Sequence, residues 1–409
     1  MQSRPTIHAS RFTIFLPFSC IIINQYQPRE GRESMKASVS QQHLAHGLSM
    51  VSRAVSPRST LPVLANVLVA TDEGRLRLSA TNLELGITCW IPAQIQEEGS
   101  ITVPARTFVD LIGALPAEQV VMSLNARTQT LNVRCGGSNT DIKGIDANEF
   151  PPMPVPDLSD GIELKVADFR EMIQQVAFAA SAEEARPVLQ GVMVTVNGNE
   201  ISLAATDGFR ISVRKSAVDH APSRPIAVII PARALSELAR IAADGEQTLV
   251  MAVPNGRGQV IFHTKDAELV SQLIEGNFPD YKVIIPRSFK THTILTTAAF
   301  LKSCKQAEII ARESNNVVRL SINPQGDQPG QVEISAQSEQ TGSAEVQVDA
   351  TIDGPQMAIA FNVRFLREVL DVVKTPSVAL ECNAQNTPAL IKPVGDEDFL
   401  HVIMPMHLG

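Results

Sequence analysis

One twelve-residue pattern is written three times in this chain, and a repeat at long, even spacing constrains a fold more tightly than composition does. "LRLSATNLELGI" (Leu76 to Ile87) returns as "ISLAATDGFRIS" (Ile201 to Ser212) and, more weakly, as "VEISAQSEQTGS" (Val332 to Ser343), with Ala80, Ala205 and Ala336 in the same place. Each copy is followed by a strand that enters a helix: "ITVPARTFVDLI" from Ile101, "VIIPARALSELARI" from Val228 and "IAFNVRFLREVLDVV" from Ile359. The anchors Pro104, Pro231 and Asn362 stand 127 and 131 residues apart. Copies one and two also close alike, on "NEFPPMP" (Asn148 to Pro154) and "GNFPDYKVIIP" (Gly276 to Pro286). Three similar domains are expected, over 35–156, 157–288 and 289–409, behind a leader of residues 1–34.

Within each copy, runs such as "QVVMSLN", "QTLNVRC", "VMVTVNG" and "QVEIS" alternate with period two, the mark of half-buried strands. Other stretches carry a helical stripe. In "QQHLAHGLSMV", Leu44, Leu48 and Val51 fall on one face; in "PARALSELARI", Leu235, Leu238 and Ile241 do so behind Pro231, whose missing N–H costs little at a helix start. The fold class is α+β: three sheet-rich domains with about two helices each.

Several function classes are disfavoured. A net charge of −8 argues against a uniformly basic nucleic-acid binder, and 4% aromatic residues leave no base-stacking platform. Phosphate cradles of the G-x-x-x-x-G-K-[ST] or G-x-G-x-x-G type are absent, as is H-E-x-x-H. His43 and His46 have helical i, i+3 spacing without a nearby acid or cysteine, so they read as solvent-facing, and "DEDF" (Asp396 to Phe399) reads as a solvated turn. Five scattered cysteines without CxxC suit a reducing, cytoplasmic setting. The leader's "RFTIFLPFSCIII" imitates a signal peptide, but Pro17 interrupts it and "MKASVSQQHLAHGLSMV" from Met35 reads as a natural start; an upstream extension or misassigned start is favoured over export. No cofactor and no catalytic residue is expected.

The repeat, "TLPVLANVLV" (Thr60 to Val69), "VPAR", "RPVLQGV" (Arg186 to Val192), "ATDGFRIS", "EGNFPDY" and the terminal "VIMPMHL" together closely resemble the bacterial sliding clamp, the β subunit of DNA polymerase III, from Met35 to Leu408. The resemblance implies the DNA clamp fold: a head-to-tail homodimeric ring, helices inside and sheets outside, around double-stranded DNA. It implies no enzyme activity. It also implies partners: the polymerase catalytic subunit, a clamp loader, other polymerases and repair proteins, docking short peptides in a groove between the second and third domains. Carried over residue by residue, that groove is Leu189, Thr206, Gly208, Phe209, Arg210, Ile211, Pro279, Val283, Ile284, Pro388, Val402, Ile403, Met404, Pro405 and Met406. A paralogous clamp serving a special polymerase or toxin resistance is the alternative. His407 and the extra Gly409 depart from the family's usual ending.

The candidate inner helices carry a mild basic excess inside the acidic whole, suited to weak, sequence-blind phosphate contact. Arg58, Arg106, Arg186, Arg233, Lys302 and Arg364 are the expected DNA contacts. In "FLKSCKQAEIIARE", Phe300, Leu301, Cys304, Ala307 and Ala311 make the inward stripe, and Ile309 lies about 180° from Phe300 at about 100° per residue. An isoleucine facing away from its own core marks an interface. The resemblance agrees and adds Ile310, packing against Ile142 on the neighbour's edge strand.

Overall fold

A computed structural model describes residues 34–407 except 58, 155–156, 243–246 and 327. The leader up to residue 33, Arg58 and the expected boundary at 156 thus lie outside the described residues. In the first domain β1 (Lys36–Ser40) runs into α1 (Gln41–Val51). Then come β2 (Asn66–Asp72), β3 (Arg75–Thr81), β4 (Leu85–Pro92), β5 (Gln94–Glu97), β6 (Ser100–Pro104), α2 (Ala105–Ala114), β7 (Gln119–Asn125), β8 (Thr130–Cys135) and β9 (Ser138–Lys143).

The second domain repeats the order with β10 (Ile162–Lys165), α3 (Val166–Val176), β11 (Gly191–Asn197), β12 (Glu200–Thr206), β13 (Arg210–Ala217), β14 (Ile226–Pro231), α4 (Ala232–Ile241), β15 (Thr248–Ala252), β16 (Gln259–His263) and β17 (Ala267–Gln272). The third has β18 (Thr291–Thr296), α5 (Thr297–Ala311), β19 (Val317–Gln325), β20 (Gln328–Ser338), β21 (Gly342–Asp353), β22 (Met357–Asn362), α6 (Val363–Val372), β23 (Ser377–Cys382), β24 (Ala389–Pro393) and β25 (Phe399–Ile403).

The helix stripes read from the sequence are the buried faces. Leu44, Leu48 and Val51 of α1 and Leu235, Leu238 and Ile241 of α4 lie in the core, as do Phe300, Cys304, Ala307 and Ala311 of α5, with Leu301 half-buried beside them. Ser40 caps α1 by accepting from the His43 amide, and Asn362 caps α6 by accepting from the Arg364 amide, each satisfying an otherwise orphaned donor. Each domain places its helix pair over two strand arrays. In the first these are β1, β7, β8 and β9, joined by β5, and β6, β2, β3 and β4.

Sheets do not stop at domain borders. β4 pairs antiparallel with β17, Leu85 opposite Ser271, and β13 pairs antiparallel with β25, Arg210 opposite Ile403. The two joints are built by one rule: the last strand of one domain's second array takes up the last strand of the next domain's first array. Backbone hydrogen bonds across such joints are directional and leave few ways to slip. By the same rule the strands left over are β9, which pairs on one side only with β8, and the first half of β21, which pairs only with β20.

Candidate functional site

The second joint carries the residues expected to form a groove. The turn between β12 and β13 is tied by its own side chains: Thr206 Oγ1 donates to the Arg210 carbonyl (2.7 Å) and accepts from the Gly208 amide (3.0 Å), while Asp207 Oδ1 accepts from the amides of Phe209 (2.9 Å) and Arg210 (3.1 Å). Gly208 takes φ +94° there, a left-handed conformation that disfavours a Cβ. The tail crosses this turn, its Met404 amide donating to the Phe209 carbonyl (2.9 Å) and its Met406 amide to the Ala360 carbonyl (2.8 Å). Phe209 (58% exposed), Met404 (37%), Val283 (74%) and Ile284 (41%) are exposed apolar side chains, Phe209 and Met404 meeting where the tail crosses the turn; Pro279 is exposed, and Pro388, Pro405 and Met406 are half-exposed.

Other expected groove residues lie beneath that surface. Val402 and Ile403 are fully buried, because β25 is flanked by β13 and β24 and both its faces are covered: Val402 packs with Ile211 and Leu390, Ile403 with the core of the third domain. Leu189, Thr206 and Ile211 are buried too. Their burial leaves Phe209, Met404, Val283 and Ile284 as the large exposed apolar members of the expected set.

Arg210 is buried as well, and its guanidinium is the centre of the joint. It donates to Asp207 (3.0 Å), to Glu368 on α6, and to the Phe178 carbonyl (2.8 Å), and it lies over the rings of Phe178 (5.2 Å) and Phe365 (4.3 Å). Glu368 also accepts from Arg364 (2.9 Å). Burial alone would raise the Glu368 carboxyl, but hydrogen bonds and charge from Arg210 and Arg364 outweigh it and hold it below the usual range. Beside them His401 stacks on Phe178 (5.6 Å), and its Nδ1 meets Ser212 Oγ at 2.7 Å. Burial, reinforced by the Arg210 charge, pushes His401 down to about 3. Asp207 reads in the sequence as turn chemistry, which its bonds to the Phe209 and Arg210 amides bear out; Glu368, Phe178, Phe365 and His401 were not singled out, and only Phe178 left a signal, nine residues past Phe169 as Ile309 is nine past Phe300.

The turn Asp396–Phe399 is also part of this joint, since Asp396 pairs with Arg214 and the Asp398 carbonyl accepts from the Lys215 amide (2.9 Å). Glu397 and Asp398 are nonetheless exposed, as expected of a solvated turn, and only Asp396 is partly withdrawn from water.

Models of three consecutive domains of the DNA polymerase III beta subunit match this chain: the N-terminal domain over residues 35–154, the central domain over 163–280 and the C-terminal domain over 282–407. The beta sliding clamp of Synechococcus elongatus is 34% identical, spanning 91% of this chain and all of the relative; that of Staphylococcus aureus is 32% identical over 91% of this chain and 99% of the relative. The chain belongs to the DNA polymerase III beta subunit family, the bacterial sliding clamps. The crystal structure of the DNA polymerase sliding clamp from Bacillus subtilis has a TM-score of 0.84 at 28% identity, and that of the Caulobacter crescentus clamp 0.84 at 29%; each covers 92% of this chain and is itself wholly covered.

In this clamp three of the expected DNA-contact residues sit on helices at equivalent places. Arg106, Arg233 and Arg364 each stand two residues past the anchors Pro104, Pro231 and Asn362, on α2, α4 and α6, and all three are exposed, as is Lys302 on α5. Arg186 is exposed but lies in the loop before the groove, paired with Glu183 (2.6 Å). Ile309 is 65% exposed. Ile310 is half-buried against its own domain, and Ile142 is 4% exposed with its side chain in the first domain's core, so what β9 leaves open is its backbone edge and not that isoleucine. No helix among the described residues is long and apolar enough to cross a membrane.

Proposed function

We propose that two copies of this chain close head to tail into a ring that encircles duplex DNA without chemistry of its own, tethering a polymerase whose peptide docks at the second joint. The carrying observation is the unsatisfied half of a repeated joint. Each chain has a β9 edge and a first half of β21 that the joint rule leaves unpaired, and extending that rule pairs each with the unlike edge of a neighbouring copy. A contact of that heterologous kind closes when the rotation permits.

The repeated geometry supports a definite register. Ala80, Ala205 and Ala336 pair with Ile87, Ser212 and Ala344, so these three are equivalent on the joining strands. Ile87 and Ser212 face Leu269 and His401 across the existing joints. The equivalent on β9 is Thr140, which places Ala344 opposite the partner subunit's Thr140. In the second joint this position is a non-hydrogen-bonded pair, where side chains approach most closely.

Arg106, Arg233, Lys302 and Arg364 then face phosphate from inside the ring, each contributing weakly and without sequence preference. The groove formed by Phe209, Met404, Val283 and Ile284 takes apolar side chains of polymerase, loader and repair proteins, and tethering raises their effective concentration at a primer end. Thr140→Cys/Ala344→Cys should form an intermolecular disulfide on mild oxidation. Efficient cross-linking instead by an out-of-register pair, Thr140→Cys/Gln347→Cys, counters the proposed closure.

A further inference from the structure

The first joint repeats the groove-forming turn of the second, bond for bond. Thr81 Oγ1 donates to the Leu85 carbonyl (3.1 Å) and accepts from the Leu83 amide (3.0 Å), and Asn82 Oδ1 accepts from the amides of Glu84 (3.1 Å) and Leu85 (2.7 Å). The crossing segment is repeated too: the Gln272 amide donates to the Glu84 carbonyl (2.8 Å) and the Ile274 amide to the Ile229 carbonyl (2.9 Å), as Met404 and Met406 do at the second joint. Even the short 3-10 turns match, the Ser56 and Ser181 amides donating to the Leu64 and Leu189 carbonyls at 2.8 Å each.

On this shared backbone the side chains differ in one consistent way. Leu83 occupies the place of Gly208 and takes φ +77°, a conformation that a branched apolar residue rarely adopts, while leaving 52% of itself in water. Leu61, 50% exposed, occupies the place of Arg186, whose guanidinium lies 3.3 Å from where a Cβ on Gly208 would be. The equivalence thus puts a half-exposed leucine on each of the two segments that Arg186 bridges at the second joint. The first joint also gains negative charge: exposed Glu84 stands where the second joint has Phe209, and exposed Glu275 where it has His407.

We infer that the first joint is a second peptide-docking site, taking a linear segment with two large apolar anchors flanked by lysine or arginine. This rests on the reading of the second joint as a peptide groove, whose turn and crossing segment it shares. Strain and exposure at Leu83 are unfavourable for the isolated chain and are offset when an apolar partner covers that side chain. The acidic rim selects a basic flank, because unlike potentials across an interface reject the wrong partner as well as favouring the right one.

The test uses the full chain carrying Phe209→Ala and Met404→Ala, so that the second joint does not contribute. Its probe is an array of octapeptides with two leucine or phenylalanine residues in a Lys/Ser/Gly background and a matching Glu/Ser/Gly array. Peptides of the basic array should bind, Leu83→Gly should weaken them at least about tenfold without lowering thermal stability, and Glu84→Lys should shift preference to the acidic array. Glycine suits the left-handed turn, so loss of binding in that variant is not loss of folding. The inference is overturned if no basic peptide binds below about 1 mM, if Leu83→Gly leaves affinity unchanged, or if that substitution instead dissolves an assembly of copies. The double variant on its own tests the second groove with a polymerase-type peptide, so the two readings fail separately.

Discussion

Arg210 of the second domain and Glu368 of the third are ion-paired across the second joint, with side chains only 7% and 20% exposed. A charge pair withdrawn from water is a weak source of net stability, but removing one member leaves the other without compensation. Arg210→Ala should therefore open this joint by about 3 kcal/mol. Amide exchange should quicken at Met404 and Lys215, whose amides donate across the joint, and not at Gln272, which belongs to the first joint. Arg210→Lys should recover little, since a lysine cannot reproduce the planar fork that reaches Asp207, Glu368 and the Phe178 carbonyl together.

Ile309 is the third member of a series. Arg53, Phe178 and Ile309 each lie nine residues past the first large core residue of α1, α3 and α5, namely Leu44, Phe169 and Phe300. Arg53 reaches into the second domain to Glu237 (3.1 Å), and Phe178 packs on the third domain's core. Ile309 is 65% exposed and belongs to no core cluster among the described residues. Ile309→Ala with Ile310→Ala should give folded monomers at low micromolar concentration by light scattering; a double variant that remains dimeric places ring closure elsewhere.

At the groove, truncating Phe209 or Met404 should cost about 1–2 kcal/mol each in binding a polymerase-derived peptide, measured by calorimetry. Both side chains are exposed and their backbones are fixed by the turn and by β25, so the fold should be untouched. Val402→Ala should behave differently, lowering stability by about 1–3 kcal/mol because a buried cavity is created.

The length of the repeat, the helix stripes and the outward face of Ile309 were legible because each depends on local period, and period survives in sequence. The burial of Val402 and Ile403 was not. A tail rich in apolar residues reads the same whether it is a groove wall or a strand covered on both faces, and only the pairing of β25 with β13 and β24 decides between them. The buried role of Arg210, named in the sequence only as a groove residue, was hidden for a related reason: its partners Glu368 and Phe178 are 158 and 32 residues away, and no spacing rule connects them.

His401 gives the second joint a pH dependence with a definite sign. Its folded pKa is depressed to about 3, against an ordinary value of 6.5. Below about pH 6.5 the unfolded chain takes up a proton that the folded chain refuses, so stability is full above that pH and is lost progressively toward pH 3, at up to about 1.4 kcal/mol per pH unit. His401→Phe should flatten this slope between pH 7 and 4.5 in denaturant titrations that follow the third domain. An equally steep slope in that variant would assign it to other groups, Glu368 among them.

The proposed function requires the chain to act as a closed ring around DNA. Its most direct test is retention on a nicked circular plasmid after loading by a cognate ATP-driven loader, followed by linearisation with a single-cutting nuclease. The clamp should stay on the circle through gel filtration and leave once free ends exist, and the Ile309→Ala/Ile310→Ala variant should not be retained at all. Equal retention on circular and linear DNA would mean that it is held by contacts and not by topology, and would contradict the account.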